Sequence, residues 1–102
     1  MSAFTPIGNT VNVSATTSSG NVALTLPSWR DSFDVRVVNG GTTLAFVNFG
    51  TDNAVTAATA TSVPIAGGAE RVFRVNPATT HMAAIMSSST GTIYATTGRV
   101  AA

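Results

Sequence analysis

Along residues 33–38 the chain alternates: Phe33, Val35 and Val37 fall on one side of an extended backbone, Asp34 and Arg36 on the other. Successive side chains of a β-strand point to opposite faces, so a period of two marks a strand with one face buried. The same rhythm returns in residues 10–15, where Val11, Val13 and Ala15 oppose Asn12 and Ser14. In residues 21–26, Val22, Leu24 and Leu26 oppose Ala23 and Thr25. Residues 43–49 are apolar on both sides, with Leu44 and Phe46 against Ala45, Val47 and Phe49. A strand of that kind is central in its sheet or covered by a partner chain. Residues 54–58, 70–75, 81–86 and 92–96 complete a set of eight expected strands.

Turn chemistry separates these runs. Ser18-Ser19-Gly20, Asn39-Gly40-Gly41, residues 50–53, Ala66-Gly67-Gly68, Asn76-Pro77 and residues 88–91 fall between them. Asn39-Gly40, flanked by two strong strand patterns, reads as a tight hairpin, because type I′ turns need residues that tolerate positive φ. No window joins strong helix formers to a 3.6-residue apolar period. The Ala-rich stretch 54–60 is broken by Thr56 and Thr59 and runs into Pro64, which favours β or irregular structure. Eight short strands spaced roughly 8–12 residues apart predict an all-β domain, a single antiparallel β-sandwich or small β-barrel. At 102 residues the chain is one such domain. Residues 1–9 carry Phe4 and Ile7 around Pro6 with no alternation of their own, and are expected as an extended N-terminal arm on a sandwich of residues 10–102. That arm is expected to lie across a neighbouring subunit, or else to cap the open end of its own sandwich.

The chemistry available to such a domain is limited by its composition. Only 9% of the residues are charged, against roughly 25% in a typical soluble domain. All five basic residues are arginine. The formal net charge of +1 gives no electrostatic footprint for nucleic acid or an anionic membrane. No apolar run approaches the ~20 residues that span a bilayer as a helix. Met1 to Pro6 lacks the basic and apolar regions of a secretory signal. There is no cysteine, hence no disulfide and no thiolate metal site.

His81 is the single histidine and alternates with Ala83 and Ile85 on an expected strand. Alone, without cysteine and with few carboxylates, it builds no ordinary zinc site. A general base would also need an orienting carboxylate and a nucleophile, and no Gly-x-Ser-x-Gly elbow is present. The acids are Asp31, Asp34, Asp52 and Glu70. Their spacing suggests no pair converging across a cleft, as a glycosidase needs. Asp31 and Asp52 read as turn residues, and Asp34 as part of a solvated or arginine-paired strand face. Gly40-Gly41 and Gly67-Gly68 lack the Lys-Ser/Thr and the helix of a phosphate loop. No enzyme activity, cofactor or metal is therefore expected.

What remains are side chains suited to protein contact. Arg36, Arg71 and Arg74 lie on expected strands, and Arg30 and Arg99 in loops. Interfaces enrich arginine and deplete lysine, while the plainer reading is a solvated strand face. Trp29, beside Arg30 in a loop, reads as a core residue under that loop or as an interface anchor. The candidate protein–protein interface is Phe4, Ile7, Trp29, Arg30, Arg36, Arg71 and Arg74.

Residues 33–50 (FDVRVVNGGTTLAFVNFG), residues 62–70 (SVPIAGGAE) with the strand after them, and the opening Phe4-Thr5-Pro6-Ile7-Gly8 resemble small structural proteins of tailed-bacteriophage particles. The resemblance covers most of the chain. It implies a virion protein made in the host cytoplasm, a capsid decoration (cement) protein. Such a protein is non-enzymatic, binds the assembled shell and is often a trimer. The partners it implies are further copies of the chain and a major capsid protein or other virion protein, with no nucleic acid and no membrane. The alternatives are a tail, fibre or head–tail β-domain, and a carbohydrate-binding β-sandwich. The last would need a platform of exposed aromatics, for which Trp29 and Tyr94 are the natural candidates.

Overall fold

The computed structural model describes residues 4–6, 8–26, 32–57 and 62–100. They form β1 (Phe4–Pro6), β2 (Val11–Ala15), β3 (Gly20–Ala23), β4 (Phe33–Asn39), β5 (Ala45–Gly50), β6 (Val63–Ile65), β7 (Glu70–Val75), β8 (His81–Met86) and β9 (Gly91–Val100), with no helix among the described residues. Two antiparallel sheets result. Sheet A runs β1–β9–β4–β7, with β2 paired to the same edge of β9 as β1; sheet B runs β3–β8–β5–β6. The domain is an open sandwich and not a closed barrel.

The pairings are nested. β5 pairs with β6, β4 with β7, β3 with β8, and β2 with β9. One long antiparallel hairpin has thus been rolled so that its successive segments alternate between two sheets, and β9–β4 and β8–β5 contacts close the roll. This is the jelly-roll arrangement.

Alternation decides which side chains enter the sandwich. Val35 and Val37 of β4, Ile93 and Ala95 of β9, and Val13 of β2 come from sheet A; Val47 of β5 and Met82, Ala84 and Met86 of β8 come from sheet B. Each large member, such as Ile93 or Met82, contributes on the order of 1.5–3 kcal/mol by leaving water. β5 is central in sheet B, and its outward-facing Asn48 sits in one row with Ala83 of β8 and Asn21 of β3. Asn48 Nδ2 donates to Thr56 O at 3.0 Å and Asn21 Nδ2 to Asn53 O at 2.8 Å. The 51–57 loop is thereby tied to the outer face of sheet B on both sides of Ala83, which is buried although it points away from the core.

Several sequence expectations change, among them Arg99, expected in a loop, which lies on β9. Residues 54–57 form no strand, and Ala58 lies outside the described residues. Instead Asp52 makes an Asx turn, its Oδ1 accepting from Ala54 N at 2.9 Å and its carbonyl from Val55 N at 3.5 Å, and the side chains of Asn21, Asn48 and Ser19 hold the rest of the loop. The place of that strand is taken by β6, three residues around Pro64, an edge that proline suits. Residues 4–6, expected in the arm, form β1 on the chain's own β9. Asn39-Gly40 is not a hairpin turn, since β4 and β5 lie in different sheets. The segment is a corner. Gly40 does not have positive φ. Its lack of a side chain serves close approach, because a Cβ there would stand 2.7 Å from Thr92 O and 2.9 Å from Tyr94 Cε2.

Asn39 organises that corner. It is fully buried; its Nδ2 donates to Thr43 O and Ile65 O, each at 2.9 Å, and its Oδ1 accepts from Gly41 N at 2.9 Å. Its backbone donates to Ala69 O and accepts from Gly68 N. One side chain therefore fastens the β4–β5 crossing to the β6–β7 crossing.

Candidate interaction surface

Pairing registers set out the outer face of sheet A as three rows. Asn12, Tyr94, Val38 and Glu70 form the first. Thr96, Arg36 and Val72 form the second, extended by Thr10, whose hydroxyl lies 2.6 Å from that of Thr96. Pro6, Gly98, Asp34 and Arg74 form the third.

The charges on this face cancel in pairs. Arg74 Nε and Nη2 donate to Asp34 Oδ1 and Oδ2 at 2.8 and 3.0 Å. The fork geometry matches a carboxylate and makes both bonds charge-assisted. The hydrogen bond to Asp34, and then its negative charge, hold the Arg74 guanidinium above the usual arginine range against a small opposing desolvation. Asp34 is buried while the Arg74 side chain is 62% exposed. Arg36 Nε pairs with Glu70 Oε2 one strand away. Between the two ion pairs Val72 is 44% exposed, and Tyr94 is 40% exposed two strands from the edge. The face is broad, neutral and studded with hydroxyl, amide and apolar groups.

The expected interface residues separate on this structure. Arg36 and Arg74 lie together on the outer face of sheet A. Arg71 lies on the opposite side of β7, where its Cζ is 5.7 Å from the Phe73 ring centroid. Phe73 in turn meets Phe49 of sheet B at 5.2 Å between centroids, tilted by 58°. Arg71 thus covers the open flank between the sheets by a cation–π contact. Phe4 is half-buried on the outer face of sheet A, its ring over Gly98. Ile7, Trp29 and Arg30 lie outside the described residues. Glu70 and Val72 join the surface without having been among the expected interface residues, as does Tyr94, which the sequence offered only for a sugar platform; the signal for them was their parity with Arg36 and Arg74 along β4, β7 and β9.

Among the described residues no three His, Asp or Glu side chains gather in a metal-binding arrangement. His81 is half-buried, and its Nδ1 lies 2.7 Å from the neighbouring Thr80 hydroxyl. Among the described residues no helix is long and apolar enough to cross a membrane. Comparison with protein-family models and with curated proteins finds no match to the chain.

Proposed function

We propose that the chain is a non-enzymatic structural protein of a phage particle, one that binds the outer surface of the assembled capsid as a decoration protein and strengthens it. The observation that carries this reading is the outer face of sheet A. Its charges are matched within the chain, so a protein surface can cover it without stranding an ion in a dry contact, the main cost of burying charge at an interface. Exposed Val72 and Tyr94 supply apolar and amphipathic contact area there. The jelly roll is used by viral capsid proteins and by lectins alike. Fold alone therefore does not choose between them, and the sequence resemblance set out above favours the particle.

A carbohydrate-binding role has less support. On the described part of this face Tyr94 is the one exposed aromatic ring, short of the stacked platform a sugar needs. The test is co-sedimentation of the purified chain with assembled capsids, with free tails and with polysaccharide. Saturable binding to capsids that raises their resistance to heat is the expected result. Binding to tails alone moves the protein to the tail, and binding to polysaccharide alone overturns the reading.

A further inference from the structure

The four sheet edges are not protected alike. β6 is three residues long and contains Pro64. β3 is four residues long, and Asn21 on it is tied to the 51–57 loop. The β1/β2 edge is made of two short strands of three and five residues, the first ending in Pro6. β7 is six residues long, with no proline or glycine, and among the described residues no strand pairs with its other side. Long unpaired edges of this kind are templates for another strand.

Hydrogen-bond parity shows what β7 presents. Asn39 N–H donates to Ala69 O, and Gly40 N–H donates to Thr92 O. Odd-numbered residues of β4 therefore bond toward β7, and even-numbered ones toward β9. In an antiparallel ladder the groups of an opposed pair face each other or both face away. With Val35 opposite Phe73, the odd-numbered residues of β7 bond to β4. The N–H and C=O of Glu70, Val72 and Arg74 point to the open side.

We propose that this edge pairs with the same edge of a second copy, antiparallel across a twofold axis at Val72, joining two A sheets into one. The sequence Glu70-Arg71-Val72-Phe73-Arg74 selects the register. With Val72 opposite Val72 of the second copy, Glu70 falls opposite Arg74 twice, and Arg71 falls opposite Phe73 twice. All three outward-pointing residues then face one another as hydrogen-bonded pairs. Moving the axis to Arg71 sets like charges against each other, and moving it to Phe73 places Glu70 against Asn76 and Arg74 against Val72. Opposite charges directly across a ladder stabilise it and like charges oppose it. In the chosen register each Glu70, already paired with Arg36, also meets Arg74 of the second copy, which is already paired with Asp34. The outer face then carries continuous rows of alternating charge across the seam. Such a contact is isologous and closes at two copies, so it is a different contact from any that builds a trimer. It does not depend on the particle to which the chain is assigned.

The experiment uses the full chain. Native mass spectrometry and sedimentation over micromolar concentrations should show a dimer, and Val72→Lys, which sets two ammonium groups on the axis, should weaken it by at least about tenfold with an unchanged circular dichroism spectrum. Since the chain has no cysteine, Val72→Cys tests the register separately. A short thiol–thiol cross-linker should convert it to covalent dimer, while Tyr94→Cys, exposed on the same face but off the edge, should stay uncross-linked. A chain that remains monomeric, an oligomer indifferent to Val72→Lys, or equal cross-linking at both cysteines would overturn the proposal. Should Val72→Lys fail to fold, the cross-linking pair decides alone.

Discussion

Asp34 and Arg74 stand directly opposite each other across the β4–β7 ladder, and their side chains are joined by two parallel hydrogen bonds of 2.8 and 3.0 Å. The pair is asymmetric. The carboxylate is buried, and the guanidinium keeps much of its surface in water. Gly98, the neighbour of Asp34 on the β9 side, offers no side chain of its own, and the Phe4 ring lies over it.

The asymmetry predicts an order of effects. Arg74→Ala leaves a buried carboxylate without its guanidinium, and the share of its desolvation that the two charge-assisted bonds offset is lost. Asp34→Ala leaves an exposed guanidinium that water can solvate. Thermal melting should therefore show Arg74→Ala to be the more damaging of the two, although it removes the more exposed residue. Equal losses would mean that the pair acts as an ordinary surface ion pair.

Asn39 predicts a larger loss. Replacing it with Ala removes two donors from buried or half-buried carbonyls and one acceptor from Gly41 N, at about 3 kcal/mol for several partners left unmatched. Asn39→Asp should be no better, since a carboxylate cannot donate to Thr43 O and Ile65 O and would repel them. Chemical denaturation of the two variants checks this; near-normal stability of Asn39→Asp would show that water replaces the amide.

Two glycines near that corner should respond differently to the same methyl group. At Gly40 a Cβ would press on Thr92 O, the carbonyl that accepts the Gly40 N–H, so Gly40→Ala should cost about 1–3 kcal/mol as overpacking. Gly68 has φ of 76° and open space around it, so Gly68→Ala should cost only the left-handed backbone penalty of roughly 1–2 kcal/mol. The discriminating substitution is Asn, which tolerates that backbone. Gly68→Asn should recover most of the loss, whereas Gly40→Asn should not. Denaturant midpoints of the four variants make the comparison.

These corners also show where sequence reading stops. Alternation located β2, β3 and β4 because each sends one set of side chains to the core, and a period of two is the direct trace of that burial; β5 announced itself instead as a run apolar on both sides. Arg36 and Arg74 are both expected on strands, but nothing local says that Asp34 meets Arg74 forty residues away. Asn39-Gly40 misled because an asparagine–glycine pair between two strands suits a hairpin and equally suits a crossing between sheets. What separates the two is the partner of the Asn39 amide, Ile65 O, which is set by the fold and not by its neighbours in the chain. Residues 54–58 misled for a related reason: a stretch of Ala, Val and Thr has strand propensity, but its hydrogen bonds go to Asn48 and Ser19, which no local pattern announces. β1 and β6, three residues each around or beside a proline, are too short to show a period at all.

Gly98 supplies the last prediction, on the N-terminal strand. It lies opposite Pro6 in the β1–β9 pairing and opposite Asp34 on the other side. A Cβ there would collide with Thr5 O and would reach 2.8 Å from Phe4 Cζ and 3.0 Å from Pro6 Cα. All three atoms belong to β1, so Gly98→Ala should push β1 off the sheet while β2, bound to Gly91–Ala95 of β9, stays in place. The stability lost is bounded by what β1 contributes, chiefly the partial burial of Phe4, at most about 1.5–3 kcal/mol. Hydrogen exchange should rise in residues 4–6 and at the end of β9 and remain unchanged in β4, β5 and β8. Deleting residues 1–6 should reproduce the pattern, and adding Gly98→Ala to the deletion should then cost little more, because the atoms it would strike are gone. A further large loss in that double change would place the constraint on Gly98 beside Asp34 and not beneath Phe4.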